Sequence, residues 1–219
     1  MVIYPSLMAA DPLNLGSVIT LLDPYCCGYH IDIMDGHYVP NLAFNPATVQ
    51  AIIHLTQRHL WMHWMVEDPL RLLSYFTLPQ GSLLSFHIEN NKEIKKCIIA
   101  AKEKKCKAGI AIAPKTRLEE YFYLLNETID DVLIMSVEPG FSGQQFIETT
   151  PERISQLAMY RKQHNLSFTI SVDGGIDHTT LPSLARNKVD LIASASAIFF
   201  STNPAKALQE LQSIIAQSH

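Results

Sequence analysis

Eight β-rich runs alternate with stretches of helical apolar spacing, and together they predict an α/β chain folded as one (β/α)8 barrel domain over residues 1–219. Three observations carry this prediction. The alternation of strand and helix persists along the chain, which calls for parallel pairing through crossover connections. The strand runs are almost continuously apolar, as expected when both faces of a sheet are covered. The first turn, "PSLMAADPLNL", has no glycine before Gly16, whereas an open doubly wound sheet would place a glycine-rich turn there.

Taken in order, the strands are expected at Val2–Met8, Tyr29–Met34, Trp61–Val66, Leu83–Ile88, Ala108–Ala113, Val132–Val137, Phe168–Val172 and Leu191–Ala195. Between them, "NLGSVITLLD", "PATVQAIIHLT", "KEIKKCIIAAKEKK", "RLEEYFYLLNE" and "PERISQLAMYRKQH" repeat apolar residues at i, i+3 and i+4 and read as amphipathic helices. The last helix, "PAKALQELQSIIAQ", opens with Pro204 near its first turn, where a missing N–H costs little. No linker, low-complexity tract or composition shift suggests a second domain.

Composition narrows the function. A net charge of −4 and a pI near 6.1 leave no basic footprint for nucleic acid. No apolar run approaches the roughly 20 residues that span a bilayer, and the first residues lack a basic start and small-residue cleavage pattern, so a cytoplasmic protein is expected. Cys26, Cys27, Cys97 and Cys106 show no metal-knuckle spacing and read as reduced thiols acting as small buried hydrophobes.

The polar residues inside the strands are the informative ones. His30, Asp32 and Met34 share one strand face, because side chains two apart point the same way, and His63 and Met65 do the same. Ser6 lies near the end of the first strand, His87 and Glu89 at the end of the fourth, and Asp173 with Gly174 and Gly175 at the end of the seventh. In a barrel those ends form one rim, where chemistry sits. Carboxylates facing a barrel interior are costly without a compensating cation. A divalent ion bound by His30, Asp32, His63 and Asp173 removes that cost; Zn2+ is the first choice, with Fe2+, Mn2+ and Co2+ equally compatible with such a donor set. "VDGGID" and "ASASAIF" follow the last two strands, where barrels often hold phosphate on backbone N–H groups, with Ser196 able to add a hydroxyl. "EPGFSGQQF" has the glycines and exposed aromatic of a loop that folds over a ligand.

"PSLMAAD", "HIDIMDGHYVPN", "MHWMVEDP", "FHIE", "MSVEPGFSGQQFI", "VDGGI" and "SAIF" resemble, in order and over almost the whole chain, the motifs of the ribulose-phosphate 3-epimerase family. The resemblance implies a ribulose-phosphate-binding type of TIM barrel, acting in pentose phosphate metabolism. Its substrates would be D-ribulose 5-phosphate and D-xylulose 5-phosphate, interconverted at C3 through a metal-stabilised cis-enediolate. It makes His30, Asp32, His63 and Asp173 the metal ligands, with Asp32 and Asp173 the acid–base pair. Ser6, His63 and the loop Gly140, Phe141, Ser142, Gly143 would contact substrate. Gly174, Gly175, Ala195 and Ser196 would hold its phosphate, and Met34, Met65 and Met135 would wall the reacting carbons. It also implies a homo-oligomer, dimer or hexamer. The branch acting on allulose 6-phosphate and a non-catalytic sugar-phosphate-binding relative are the alternatives. Barrel decarboxylases and synthases with a D-x-K-x-x-D pattern fit less well, because Met34 stands where their lysine is needed. Departures from the family pattern are Trp64, Ala113, Glu138, Ser142 and Ala195. His37, His87 and Glu89 lie near the expected site and take no primary role in this reading.

Overall fold

The computed structural model describes residues 1–89 and 92–217, so residues 90–91 and 218–219 of the expected domain lie outside the described residues. The strands are β1 (Val2–Pro5), β2 (Gly28–Asp35), β3 (Leu42–Ala43), β4 (His59–Met65), β5 (Leu83–His87), β6 (Lys107–Ile112), β7 (Asp131–Met135), β8 (Thr169–Asp173) and β9 (Leu191–Ser194). They form one sheet in the order β1-β9-β8-β7-β6-β5-β4-β2-β3. Every pairing is parallel except that of β2 with the two-residue β3. A parallel bridge between Ser6 and His30 joins the first strand to the second and closes the ring. The expected (β/α)8 barrel is thus observed, with β3 added as an antiparallel spur.

The period of two sorts the strand residues into two layers. Ile31, Ile33, Met62, Trp64, Leu84, Phe86, Ile110, Ile112, Val132, Ile134, Ile170 and Val172 share one core with the inner faces of the helices. Their alternates Tyr4, Trp61, Leu83, Ala111, Leu133, Met135 and Ala193 form a separate cluster that fills the barrel interior. This explains the continuous apolar runs: each strand is covered on both sides.

The helices are α1 (Leu15–Leu22), α2 (Pro46–Leu55), α3 (Pro69–Leu73), α4 (Ile94–Glu103), α5 (Thr150–Gln163), α6 (Leu181–Arg186), α7 (Ser196–Phe199) and α8 (Pro204–Gln217). Local chemistry sets several starts. Asn45 accepts from Thr48 N and Asp68 from Arg71 N, each followed by a proline whose missing N–H is harmless at that position.

Three expectations need correction. "RLEEYFYLLNE" is not an α-helix but a 3-10 segment, Leu118–Leu124, with Leu118 and Leu124 buried. Leu118, Tyr121 and Leu124 recur every three residues, which stacks them in a three-per-turn helix and only approximates an α-helical face. The first strand stops at Pro5 rather than Met8, because Leu7–Ala9 turns into a 3-10 helix. Cys27 is exposed, whereas the other three cysteines are buried as expected and all four are free. No helix among the described residues is long and apolar enough to cross a membrane.

Candidate metal and substrate site at the barrel mouth

Strand register assembles the cluster. Asp32 of β2 sits opposite His63 of β4, and Met34 opposite Met65. Asp173 ends β8 opposite Met135 of β7 and Ala193 of β9. One donor atom from each of His30, Asp32, His63 and Asp173 lies within 4.8 Å of the others. His63 Nδ1 is 3.2 Å from Asp32 Oδ1 and 3.3 Å from Asp173 Oδ2, so both carboxylates converge on one point from strands that do not touch. His30 Nδ1 is 3.3 Å from Asp32 Oδ2 and its Nε2 3.9 Å from Asp173 Oδ2. Ser6 Oγ donates to Asp32 Oδ2 at 2.9 Å and fixes that carboxylate's rotation.

Burial and charge oppose each other here. Burial alone would raise Asp32, but His30 and His63 outweigh it and hold the carboxyl far below the usual carboxylate range. Burial would likewise favour neutral His63, yet Asp173 and Asp32 push it up to about 9.

Whether a cation suits these residues is decided by His30. It is 0 % exposed, and among the described residues neither ring nitrogen makes a well-aligned hydrogen bond, each having only a carboxylate oxygen nearby, at 3.3 and 3.9 Å. A buried polar atom left so costs about 1–3 kcal/mol, unless its lone pair goes to a metal. Two imidazoles and two carboxylates also suit a divalent cation of the zinc or iron type. The group can therefore bind such an ion.

The pocket above the cluster is lined by Ser6, Asp32, Met34, Met65, Met135, Gly140, Phe141, Ser142, Gly143, Asp173, Gly174, Gly175, Ala195 and Ser196. His30 and His63, both 0 % exposed, lie beneath its floor. All the residues expected from the sequence are thus brought together. The sequence reading gave no role to Met8 and Val137, which also line the pocket, as does Glu138 of the expected covering loop. It missed Asp35 as well, whose carboxylate accepts from His37 N, Tyr38 N and Glu67 N and clasps the β2 and β4 loops beside the methionines. A second aspartate directly after "DIM" was its only sequence signal.

The loop over the pocket is braced: Asn41 Nδ2 donates to the Gly140 carbonyl at 2.7 Å, and Gln144 Nε2 reaches the Glu138 and Phe141 carbonyls at 2.7 and 2.8 Å. At the anion end, glycine is structurally required. Gly174 (φ +108) would place a Cβ 2.3 Å from Val137 Cγ2, and Gly175 (φ +62) would place one 2.7 Å from Phe146 N. Ser136 Oγ lies 2.8 Å from the Asp173 carbonyl and 2.5 Å from that of Gly174, tying the carboxylate's strand to the glycine turn. Among the described residues, no lysine or arginine lines the pocket.

The departures from the family pattern are accommodated locally. Ala195 caps α7 with φ −110, so it needs no glycine. Glu138 pairs with Lys115 at 2.8 Å. Ala113 N donates to Glu89 at 2.7 Å and its carbonyl accepts from Arg153 at 3.0 Å. Trp64 packs edge-on against Phe76, its Nε1 without a partner.

Comparison with known proteins adds an independent line. The model of the "Ribulose-phosphate 3 epimerase family" matches residues 2–199. Ribulose-phosphate 3-epimerase of Treponema pallidum (strain Nichols) is 37% identical over 199 residues, covering 90% of this chain and 91% of its own. That of Helicobacter pylori (strain J99) is 34% identical over 214 residues, covering 98% of each chain. Among solved structures, 3-hexulose-6-phosphate synthase from Salmonella typhimurium has a TM-score of 0.70 at 17% identity with 100% of both chains covered, a likeness of fold.

Proposed function

This chain belongs to the ribulose-phosphate 3-epimerase family, and from that premise we propose that it interconverts D-ribulose 5-phosphate and D-xylulose 5-phosphate by moving the C3 proton. Asp32 and Asp173 are the two proton-transfer groups, and His30, Asp32, His63 and Asp173 hold one divalent cation, with Zn2+ the first choice. The single observation that carries this reading is the convergence of the two carboxylates on one point beside His63.

A proton next to a ketone is too weakly acidic for an unaided carboxylate. A cation held by the four residues supplies Lewis-acid stabilisation of the negative charge that develops on the substrate oxygens. The chain does the rest. Asp32, kept deprotonated by its imidazole neighbours and oriented by Ser6, takes or returns the proton on one face of the planar intermediate. Asp173 serves the other face, and the roles exchange in the reverse reaction. Met34, Met65 and Met135 line the space between with side chains that cannot ionise, so none delivers a proton to the wrong face. The loop Gly140–Gly143 covers the substrate and excludes water. With no cationic side chain among the described residues that line the pocket, the phosphate is held by the backbone of Gly174 and Gly175 and by the first turn at Ala195 and Ser196. The same resemblance supports a homo-oligomer, and cysteines read as reduced thiols support a cytoplasmic location.

The test is turnover of ribulose 5-phosphate and allulose 6-phosphate by one metal-loaded preparation. Faster conversion of the pentulose is expected. Faster conversion of the hexulose would move the substrate to the alternative branch, and conversion of neither would make the protein a binder.

A further inference from the structure

We infer that His87 and Glu89 are positioning residues that fix the tautomer of His63, and thereby set how tightly the barrel mouth holds its cation. The inference rests on the metal reading above.

His87 ends β5 and is buried; Glu89 follows two residues later. His63 Nε2 lies 2.9 Å from His87 Nε2, and His87 Nδ1 lies 3.1 Å from Glu89 Oε2. Glu89 Oε1 accepts from Ala113 N at 2.7 Å, and Tyr38 OH donates to Oε2 at 3.4 Å. The Tyr38 ring covers His87 with centroids 4.8 Å apart. An unbroken chain of side chains thus runs from the cation cluster to a carboxylate outside it.

The direction of each hydrogen bond follows from proton counting. The Nδ1 of His63 faces Asp32 and Asp173 and must be bare to ligate a metal. A neutral imidazole carries one N–H, so that proton sits on Nε2 and is donated to His87. His87 then accepts at Nε2 and carries its own proton on Nδ1, which points at Glu89. Besides a side-chain hydrogen bond from Thr116, three donors meet Glu89: Ala113 N–H, Tyr38 O–H and His87 Nδ1–H. An acceptor-only carboxylate satisfies all three, whereas an amide cannot. The orientation imposed at Glu89 is therefore passed through two rings to the ligand atom. Outer partners of this kind typically alter metal affinity by about 10–100-fold.

The substitutions discriminate this role from simple packing. Glu89→Gln keeps the shape, but with its oxygen on Ala113 N its amide N–H2 faces His87 Nδ1. That turns the proton of His87 towards His63 and drives the proton of His63 onto the ligating nitrogen. His87→Leu removes the acceptor, whereas His87→Gln restores an oxygen where Nε2 was. Zn2+ affinity is read on the full chain by competition with a chromophoric chelator, with thermal melts alongside. The expected result is about 10–100-fold weaker Zn2+ binding for Glu89→Gln and His87→Leu, with His87→Gln near wild type. Wild-type affinity in the first two would overturn the inference and leave the metal reading standing. Absence of Zn2+ binding by the wild type would overturn both. Wild-type protein alone gives a second readout: in proton–nitrogen NMR spectra of the zinc-loaded form, His63 is expected to be protonated at Nε2. Protonation at Nδ1 instead would overturn the inference whatever the variants do.

Discussion

Two aspartates face the inside of this barrel in full burial, and their surroundings shift them in opposite directions. Asp32, at the mouth, is surrounded by His30, His63 and Ser6, which hold it as a carboxylate despite burial. Asp131, at the first residue of β7 on the floor, accepts from Thr169 Oγ1 at 2.5 Å and Ser171 Oγ at 2.7 Å. Burial dominates there, Asp190 and Asp130 add to it, and the carboxyl is pushed up to about 7. Around it the floor is filled: Trp61 Nε1 donates to Ser85 Oγ at 2.9 Å, and Gly109 leaves room where a Cβ would lie 3.2 Å from that of Asp131. The difference teaches that burial alone does not make a carboxylate functional. The mouth holds a carboxylate suited to a cation and to proton transfer, whereas on the floor burial shifts the carboxyl towards its protonated form in a packed polar layer.

The sharpest way to break this contrast is to neutralise each aspartate. Asp32→Asn is expected to lower epimerase turnover by about 10²–10⁴-fold in a folded barrel. Asp131→Asn should leave turnover near wild type, and a comparable loss there would erase the distinction between mouth and floor. The second comparison is stability against pH. A carboxyl with a raised folded pKa contributes stability below its unfolded value near 3.8, and that contribution is lost as pH rises through about 7. Denaturation of the wild type should therefore show stability falling from pH 5 to pH 8, by on the order of 3 kcal/mol at most from this group. Asp131→Asn should flatten that slope, and an unchanged slope would assign it to other groups. Smaller still is the expected effect of Gly175→Ala, where a left-handed φ meets the Phe146 backbone. A stability cost of about 1–3 kcal/mol is expected. KM for the phosphorylated substrate should rise more than kcat falls, because the strain is at the anion end; an unchanged KM would remove that turn from substrate binding.

The mouth was far more legible in the sequence than the floor. His30, Asp32 and Met34 alternate along one apolar run, so their shared face and unusual polarity are visible without any structure. Asp131 is not, because the pair Asp130–Asp131 before "VLIM" looks like a solvated loop, and only the register with Gly109 and Thr169 turns its second member inward. His87 and Glu89 were visible as polar residues ending a strand, but their link to His63 depends on two ring orientations that spacing does not encode. The short α3 and α6 left little periodicity to read, and a three-residue repeat disguised the 3-10 segment at Leu118–Leu124 as an α-helix. The glycine turn at Gly174 and Gly175 was found from position at the rim, while the reason for it, the closeness of Val137 and Phe146, is tertiary.

The measurement that bears most directly on two carboxylates sharing the work at one carbon is hydrogen exchange at C3 of ribulose 5-phosphate in deuterated water, catalysed by metal-loaded wild type, Asp32→Asn and Asp173→Asn. Wild type is expected to yield xylulose 5-phosphate carrying deuterium at C3, and each variant to lose that product. Deuterated xylulose 5-phosphate formed at the wild-type rate by either variant would contradict the account.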